Sequence, residues 1–531
     1  MKTPHLTLCV LALLTGCAIT PPASRTAADI LIRNGRVIDG SGSGWVSADV
    51  LIRDGKIEAV GKLDHITATR TIDAKQQIVA PGFIDVHTHI EFGIFQNPAS
   101  NNYVHDGVTT AITGNCGGSA DSLAEFFSRL DREGTSINVA SLVGHNTVRR
   151  QVMGLANRAA TKDEQARMEA LVATAMAQGA VGLSTGLIYL PGLYSSTEEV
   201  IGLARVAAKH GGLYASHMRN EGNKVTEAIN EALNIGIEAK IPVQISHFKV
   251  AAPANWGRSR ETLAIIENAR ANGQDVTIDQ YPYTASSTTL AVMLPDWAVE
   301  GGSAEIIARL ADPVKRGQIA KEILESAQNN KRPDFSYAVV ARHAADPSLN
   351  GKNLAVINLQ KGRTADMEAE IETLLDLVVA GGAQMIFHGM NEDDVRYFMR
   401  YRHNMIGSDG GVQDGKGLPH PRSYGTNARI LGKYVREEKI LTLEDAIRRM
   451  TSLAAEKFQL KGRGLIREGY AADIVIFDET KIIDKATFDN PHQFSEGISY
   501  VLVNGKSVIE AGRHTGVRSG VALKNSRAGS L

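Results

Sequence analysis

The 531-residue chain has no charge excess of either sign: 57 Lys and Arg stand against 58 Asp and Glu. Without a basic surplus, nucleic acid and anionic membrane surfaces are disfavoured as partners. The N-terminal apolar run, Leu6 to Leu14, is too short to cross a bilayer as a mature helix. Cysteine is scarce, with only Cys9, Cys17 and Cys116, so no disulfide framework can hold a chain of this size. What is present is ordinary for a soluble globular protein, 43% hydrophobic and 22% charged residues. The length predicts one large domain with a smaller one. The 51 glycines exceed the usual ~7% and suit a fold with many tight loops.

Lys2, the apolar run and Thr15-Gly16-Cys17 have the layout of a secretory signal. Leu14-Thr15-Gly16-Cys17 resembles the lipobox of bacterial lipoproteins, in which the cysteine is lipidated and becomes the new N-terminus. The expectation is a signal over 1–16, a flexible Ala/Thr/Pro/Ser-rich tether over 17–28, and a lipid-anchored protein on the periplasmic side of a bacterial envelope. Cys9 leaves with the signal and Cys17 carries lipid, so Cys116 is the one thiol left in the body. In an oxidising compartment a lone thiol is either buried or employed, and metal ligation is one way to employ it.

Residues 29–79 read as antiparallel β structure. Asn34-Gly35 and Asp54-Gly55 each separate two apolar runs, the strongest short hairpin signal. The segment 461–518 reads similarly, with Asn504-Gly505, so a small β-sandwich domain from both chain ends is expected, followed by a tail over 519–531. Between them, over 80–460, strand-like runs alternate with helical patterns such as Asp163–Gln178 and Ser196–Lys209. The runs are Gly82–His89, Val108–Asn115, Ile137–His145, Val181–Leu187, Leu213–Met218, Val243–Lys249, Val276–Tyr281 and Met405–Asp409. Eight such strands predict an α/β fold, a (β/α)8 TIM-type barrel, with a doubly wound open sheet as the competing architecture. The interval from about 290 to 400, between strands 7 and 8, is too long for a loop and predicts an inserted subdomain over the barrel mouth.

The chemistry collects at strand ends. His87 and His89, two apart on a strand, face the same side. Cys116, His217, His247 and Asp409 each end a later apolar run, and in a barrel all these ends open on one face. Imidazole, thiolate and carboxylate together suit Zn²⁺ and can hold one or two ions. His145 also ends a strand run and remains a candidate at the edge of the site.

Several of these segments together carry a family resemblance. They are Pro81-Gly82-Phe83-Ile84-Asp85-Val86-His87-Thr88-His89, Gly114-Asn115-Cys116-Gly117, Ser184-Thr185-Gly186-Leu187 and His217-Met218-Arg219-Asn220-Glu221. Ile245-Ser246-His247-Phe248-Lys249, Asp279-Gln280-Tyr281-Pro282-Tyr283, Ile406-Gly407-Ser408-Asp409-Gly410 and His420-Pro421-Arg422 complete the set. The chain resembles the amidohydrolase superfamily, and more closely its N-acyl-D-amino-acid deacylase (D-aminoacylase) group, from about residue 28 to 518. The resemblance implies a tight zinc on Cys116, His217 and His247, a weaker position at His87 and His89, and Asp409 as general base. It further implies hydrolysis of the amide bond of an N-acyl-D-amino acid, a small-molecule substrate. A leaving amino acid brings a carboxylate, for which Arg422 offers a planar fork, with Lys249, Tyr281 and Ser287 adding hydrogen bonds or charge. Relatives that bridge two metals with a carbamylated lysine differ here, since the fourth strand run ends in Ser184-Thr185-Gly186. One departure from the group is the polar segment Gln413–Gly417 between Asp409 and Arg422. An envelope dipeptidase, a cyclic amidohydrolase of the hydantoinase or dihydroorotase kind, and a non-catalytic lipid-anchored binding protein are the competing readings.

Overall fold

The computed structural model describes Met1 and residues 28–525. The expected signal and tether, with Cys9 and Cys17, lie outside the described residues except for Met1 and Ala28. Among the described residues no helix is long and apolar enough to cross a membrane.

Eight parallel strands form the centre. They are β1 (Phe83–Asp85), β2 (Val108–Thr113), β3 (Asn138–Ser141, continued by Val143–Gly144), β4 (Gly182–Gly186), β5 (Leu213–His217), β6 (Val243–Ile245), β7 (Val276–Gln280) and β8 (Asn404–Ile406). Pairing runs in sequence order from β1 to β8. The ring then closes. Val86 N donates to Ile406 O at 3.3 Å and His89 N to Gly410 O at 2.7 Å, which ties β8 back to β1. The fold is therefore the barrel and not the open sheet. Every strand residue is buried, as a parallel sheet sheathed in helices requires. The helices start where their caps predict. Thr161 and Glu164 form a reciprocal capping box for Lys162–Ala177, and Ser196 accepts from Glu199 N at the start of Thr197–Lys209.

In the β domain five N-terminal and four C-terminal strands make one continuous hydrogen-bonded sheet. Ile78–Pro81 is the joint, parallel to Ala28–Val37 and antiparallel to Ile474–Phe477. Ile32, Val50, Ile474 and Leu502 then share one apolar core. The domain departs from the expectation in one respect: Asp54-Gly55 and Asn504-Gly505 close hairpins, but Asn34-Gly35 does not. Ala28–Val37 passes through it as a single bulged strand, with Ile32 opposite Val50 and Gly35 opposite Ala48. Asn34 takes φ 57°, which serves a bulge as well as a turn. Both halves find the same partner strand, so the chain has no reason to reverse.

The insertion is an antiparallel sheet of Ala285–Thr289, Gln384–His388 and Ala338–Arg342, backed by four helices and its own core around Leu290, Phe335, Leu374 and Met385. It begins at Ala285, earlier than about 290, and ends at His388. Glu392–Met399 instead packs against Ser259–Ala271 in the barrel's outer layer. The expected free tail is also bound as far as residue 525. Val139 N donates to Val521 O at 3.0 Å and Leu523 N to Val139 O at 2.8 Å. Within β3 only Val143–Gly144 pairs with β4, and the chain end bonds to Val139 on the same strand.

Candidate metal centre and substrate cavity

Cys116 is held where the chain leaves β2. Its φ of 51° is left-handed, as are those of His247 (35°) and Asp409 (52°). Non-glycine residues keep such conformations where neighbours enforce them. The brace for Cys116 is Ser184 on β4, whose Oγ donates to Gly114 O at 2.5 Å and accepts from Gly117 N at 3.1 Å. Gly186 leaves no space for a side chain, because a Cβ there would come within 2.1 Å of Cys116 O. The Ser-Thr-Gly segment of the fourth strand thus forms the floor beneath the thiol.

The thiol is the hub of the cluster. Cys116 Sγ lies 3.2 Å from His87 Nε2, 3.5 Å from His217 Nδ1 and 3.6 Å from His247 Nε2. A tetrahedral zinc with Zn–S of about 2.3 Å and Zn–N of about 2.05 Å has S···N edges of roughly 3.5 Å. Cys116, His217 and His247 are therefore spaced as ligands of a single ion. The two imidazole nitrogens stand 2.7 Å apart, closer than the roughly 3.3 Å edge of such a centre. His87, His89, Cys116 and Asp409 form a second convergent group that shares the same sulfur.

Electrostatics favours the ligating forms of Cys116 and Asp409, whereas His89 holds a proton that a metal ion must displace. Burial raises the Cys116 thiol, but His87 and His217 bring it well below its ordinary value, so it is a thiolate at neutral pH. Burial also raises Asp409, yet Arg422 and His87 hold its carboxyl well below the usual carboxylate range. His89 is lowered by burial and raised more by its hydrogen bond to Asp409, ending at about 10.

Three residues that sequence reasoning passes over orient this cluster. Glu221 Oε1 lies 2.9 Å from His247 Nδ1. Lys249 Nζ lies 2.7 Å from the same nitrogen, so Glu221 and Lys249 together hold the face of the ring turned away from Cys116. Asp279 on β7 accepts from His247 N at 2.8 Å and lies 3.5 Å from His87 Nδ1. The third is Ser184. All three stand in segments that carry the family resemblance, yet spacing along the chain gives them no role, and the partner of Glu221 lies on a different strand.

Of the expected substrate contacts, Arg422 faces the cluster directly. Its Nη2 lies 2.9 Å from Asp409 Oδ2 and donates to Ser287 O at 3.3 Å, and its guanidinium covers the Tyr281 ring at 4.5 Å. Nη1 is buried without a partner, a costly state that an anionic ligand would relieve. The polar segment Gln413–Gly417 does not displace it. Leu418 N donates to Ala341 O at 2.8 Å, which lays that loop on the insertion, and His420 links Ala285 O (2.9 Å) to Arg422 N (3.0 Å). Tyr281 is buried with its hydroxyl unpartnered, whereas Tyr283 turns toward Asp484 and Arg429. Ser287 lines the cavity, its Oγ donating to Met385 O at 2.7 Å.

Lys249 is buried behind His247 and donates to Glu221 Oε1 at 2.6 Å. His145 joins neither ligand group. Its Nε2 lies 2.8 Å from Glu199, which also pairs with Arg149 at 2.5 Å in a buried network. The cavity at the cluster measures about 850 Å³ and is lined by His89, Cys116, His247, Asp409 and Arg422 together with Asn146, Tyr189, Thr288 and Gln384.

Comparison with known proteins gives this arrangement its relatives. A model of the amidohydrolase family matches residues 70–509. A D-aminoacylase of Alcaligenes xylosoxydans xylosoxydans is 36% identical over 523 residues, which is 94% of this chain and 98% of its own. A solved D-aminoacylase, described with a binuclear metal center, superposes with a TM-score of 0.81 at 35% identity, covering 94% of this chain and 100% of its own. An N-acyl-D-glutamate deacylase from Bordetella bronchiseptica, complexed with zinc and a phosphonate inhibitor, gives 0.80 at 35% identity with the same coverage. With both its length and its barrel shared in this way, the chain belongs to the amidohydrolase family, in the N-acyl-D-amino-acid deacylase (D-aminoacylase) group.

Proposed function

We propose that the protein is a zinc-dependent hydrolase that cleaves the amide bond of N-acyl-D-amino acids into a carboxylic acid and a free D-amino acid. The observation that carries this reading is a single cavity in which a thiolate and two imidazoles have zinc spacing, with Asp409 and the unpartnered Nη1 of Arg422 beside them. The Bordetella relative, complexed with zinc and a mimic of the reaction's tetrahedral intermediate, supports it.

Cys116, His217 and His247 would hold the tight zinc, with His87, His89, Cys116 and Asp409 around a weaker position. The related D-aminoacylase is described by one-metal activation and second-metal attenuation, in keeping with one working ion. Zinc in the tight position would supply a Lewis acid and would lower the pKa of a water from 15.7 to about 7. Asp409 is placed to accept a proton from the attacking water and to pass it to the leaving nitrogen as the C–N bond breaks. Arg422 holds the substrate carboxylate by Nη1, and that negative charge offsets the guanidinium that depresses Asp409, so the base strengthens when substrate is bound. Glu221 and Asp279 fix the imidazoles that face the amide. A cyclic amide such as a hydantoin carries no carboxylate for Arg422, which disfavours that class.

A panel of N-acetyl-D- and N-acetyl-L-amino acids with their C-terminal carboxamides tests the reading. Turnover is expected for D-acids only, and Arg422→Ala should raise KM for the acids by about 10–100-fold, the range of a lost charged hydrogen bond, and barely affect the carboxamides. Equal effects on acid and carboxamide would remove Arg422 from the carboxylate site, and turnover of L-acids alone would overturn the stereochemical assignment.

The charged start, the apolar run and Leu14-Thr15-Gly16-Cys17 support a further part of the proposal, a lipid on Cys17 that anchors the protein at the periplasmic side of a bacterial envelope. Mass analysis of the mature protein should find a diacylated N-terminal Cys17. A soluble mature form that begins elsewhere would contradict this.

A further inference from the structure

The catalytic cavity does not end at Tyr189. On the far side of that ring lies a second cavity of about 1120 Å³, in the seam between the barrel and the insertion, and Tyr189, Leu190 and Thr289 belong to the walls of both. Leu190 and Leu193 enter the seam from the loop after β4, and Ala291, Met293 and Trp297 from the insertion. Four of them, Leu190, Leu193, Met293 and Trp297, are partly buried against the insertion's apolar core. Three charged side chains on this wall are already engaged. Arg219 pairs with Glu231 at 2.9 Å, Glu322 accepts from Trp297 Nε1 at 3.0 Å, and Arg332 stacks on Tyr337 at 3.8 Å. The fourth, Asp296, is exposed, and the leucines, Ala291, Met293 and Trp297 supply apolar surface to face a ligand. The boundary is one hydrogen bond, between Tyr189 on the barrel side and Thr288 Oγ1 on the insertion side at 3.0 Å.

The direction of the substrate decides what enters this seam. Asp409 and Arg422 follow β8, and Tyr189 follows β4, four strands away in a ring of eight and therefore opposite. His217 lies between, its ring 4.9 Å from that of Tyr189. With the amino-acid carboxylate on Arg422 and the scissile amide at the cluster, the acyl end points toward Tyr189 and the seam. We infer that the seam cavity is an acyl-chain site and that the preferred substrates are D-amino acids N-acylated with medium or long aliphatic chains rather than with acetate. This rests on the deacylase reading above and names the substrate class of that same site.

The test compares N-acetyl, N-butanoyl, N-octanoyl and N-dodecanoyl forms of D-leucine and of D-glutamate on the zinc-loaded protein. Burying each methylene should improve binding on the order of threefold, so KM should fall at least about thirtyfold from acetyl to octanoyl with kcat little changed. Ala291→Trp, which fills the seam, and Met293→Asp, which charges it, should erase that gain while the acetyl substrate and zinc content stay as in the native protein. A KM that is flat or rises with chain length while acetyl is turned over would overturn the inference, as would variants that slow all chain lengths equally. Binding is read separately by titrating dodecanoate into the zinc-loaded protein and following tryptophan emission. A saturable change that Trp297→Phe removes supports the seam even if no acyl-D-amino acid is turned over, an outcome that would sink the deacylase reading alone. No saturable change would count against the seam.

Discussion

Asp409→Asn should lower kcat by about a thousandfold while one zinc per chain stays bound, measured by steady-state kinetics on N-acyl-D-amino acids and by elemental analysis of the same sample. General acid–base groups contribute about 10²–10⁴ to rate, and this carboxylate is charged with moving the proton in both directions. The substitution separates chemistry from structure well. Asparagine matches aspartate in shape and tolerates the left-handed φ of 52° that position 409 requires. Its amide oxygen can still accept from Arg422 Nη2, now 2.9 Å from Asp409 Oδ2. What it lacks is the ability to take a proton. Near-normal turnover would remove Asp409 as the base, whereas loss of zinc together with activity would move it into the tight ligand set.

Cys116→Ala is expected to cost the protein most of its zinc. Apparent zinc affinities of about 10–16 kcal/mol over four ligands put one ligand at roughly 3 kcal/mol, about a hundredfold in affinity. The actual loss should not be smaller, because Cys116 is the sulfur common to both ligand groups and lies within 3.2 to 3.6 Å of three imidazoles. Alanine has the same Cβ, so the strain at φ 51° is unchanged, and the bracing by Ser184 and Gly186 acts on backbone atoms that remain. The folded state should therefore survive with a metal content below about a tenth of native after mild chelation. Unchanged zinc would eliminate the thiolate as a ligand, and loss of secondary structure by circular dichroism would make its role one of packing.

The barrel was legible because its evidence is local and repeated. Eight apolar runs ending in chemistry-bearing residues, with helical patterns between, admit few arrangements, and Asp409 and His87 could be brought together by the closed ring alone. The same reasoning reached Cys116, the one cysteine beyond the N-terminal segment and the residue that follows the second apolar run. It misread Asn34-Gly35, where a left-handed pair fits both a hairpin and a bulge and the choice belongs to a strand downstream. Nor does a lysine two residues after a ligand histidine hint that Glu221, from the preceding strand end, is its partner.

The linear pattern was thus enough for the count and order of strands, the donor types at their ends and the presence of an insertion, all of which follow from periodicity and residue chemistry within a few positions. The partners of those donors, the carboxylate behind His247, the unpartnered Nη1 of Arg422 and the seam beyond Tyr189 arose only on folding. Each depends on atoms brought within about 3 Å from strands or loops far apart in the chain, and no spacing along one segment encodes the distance to another.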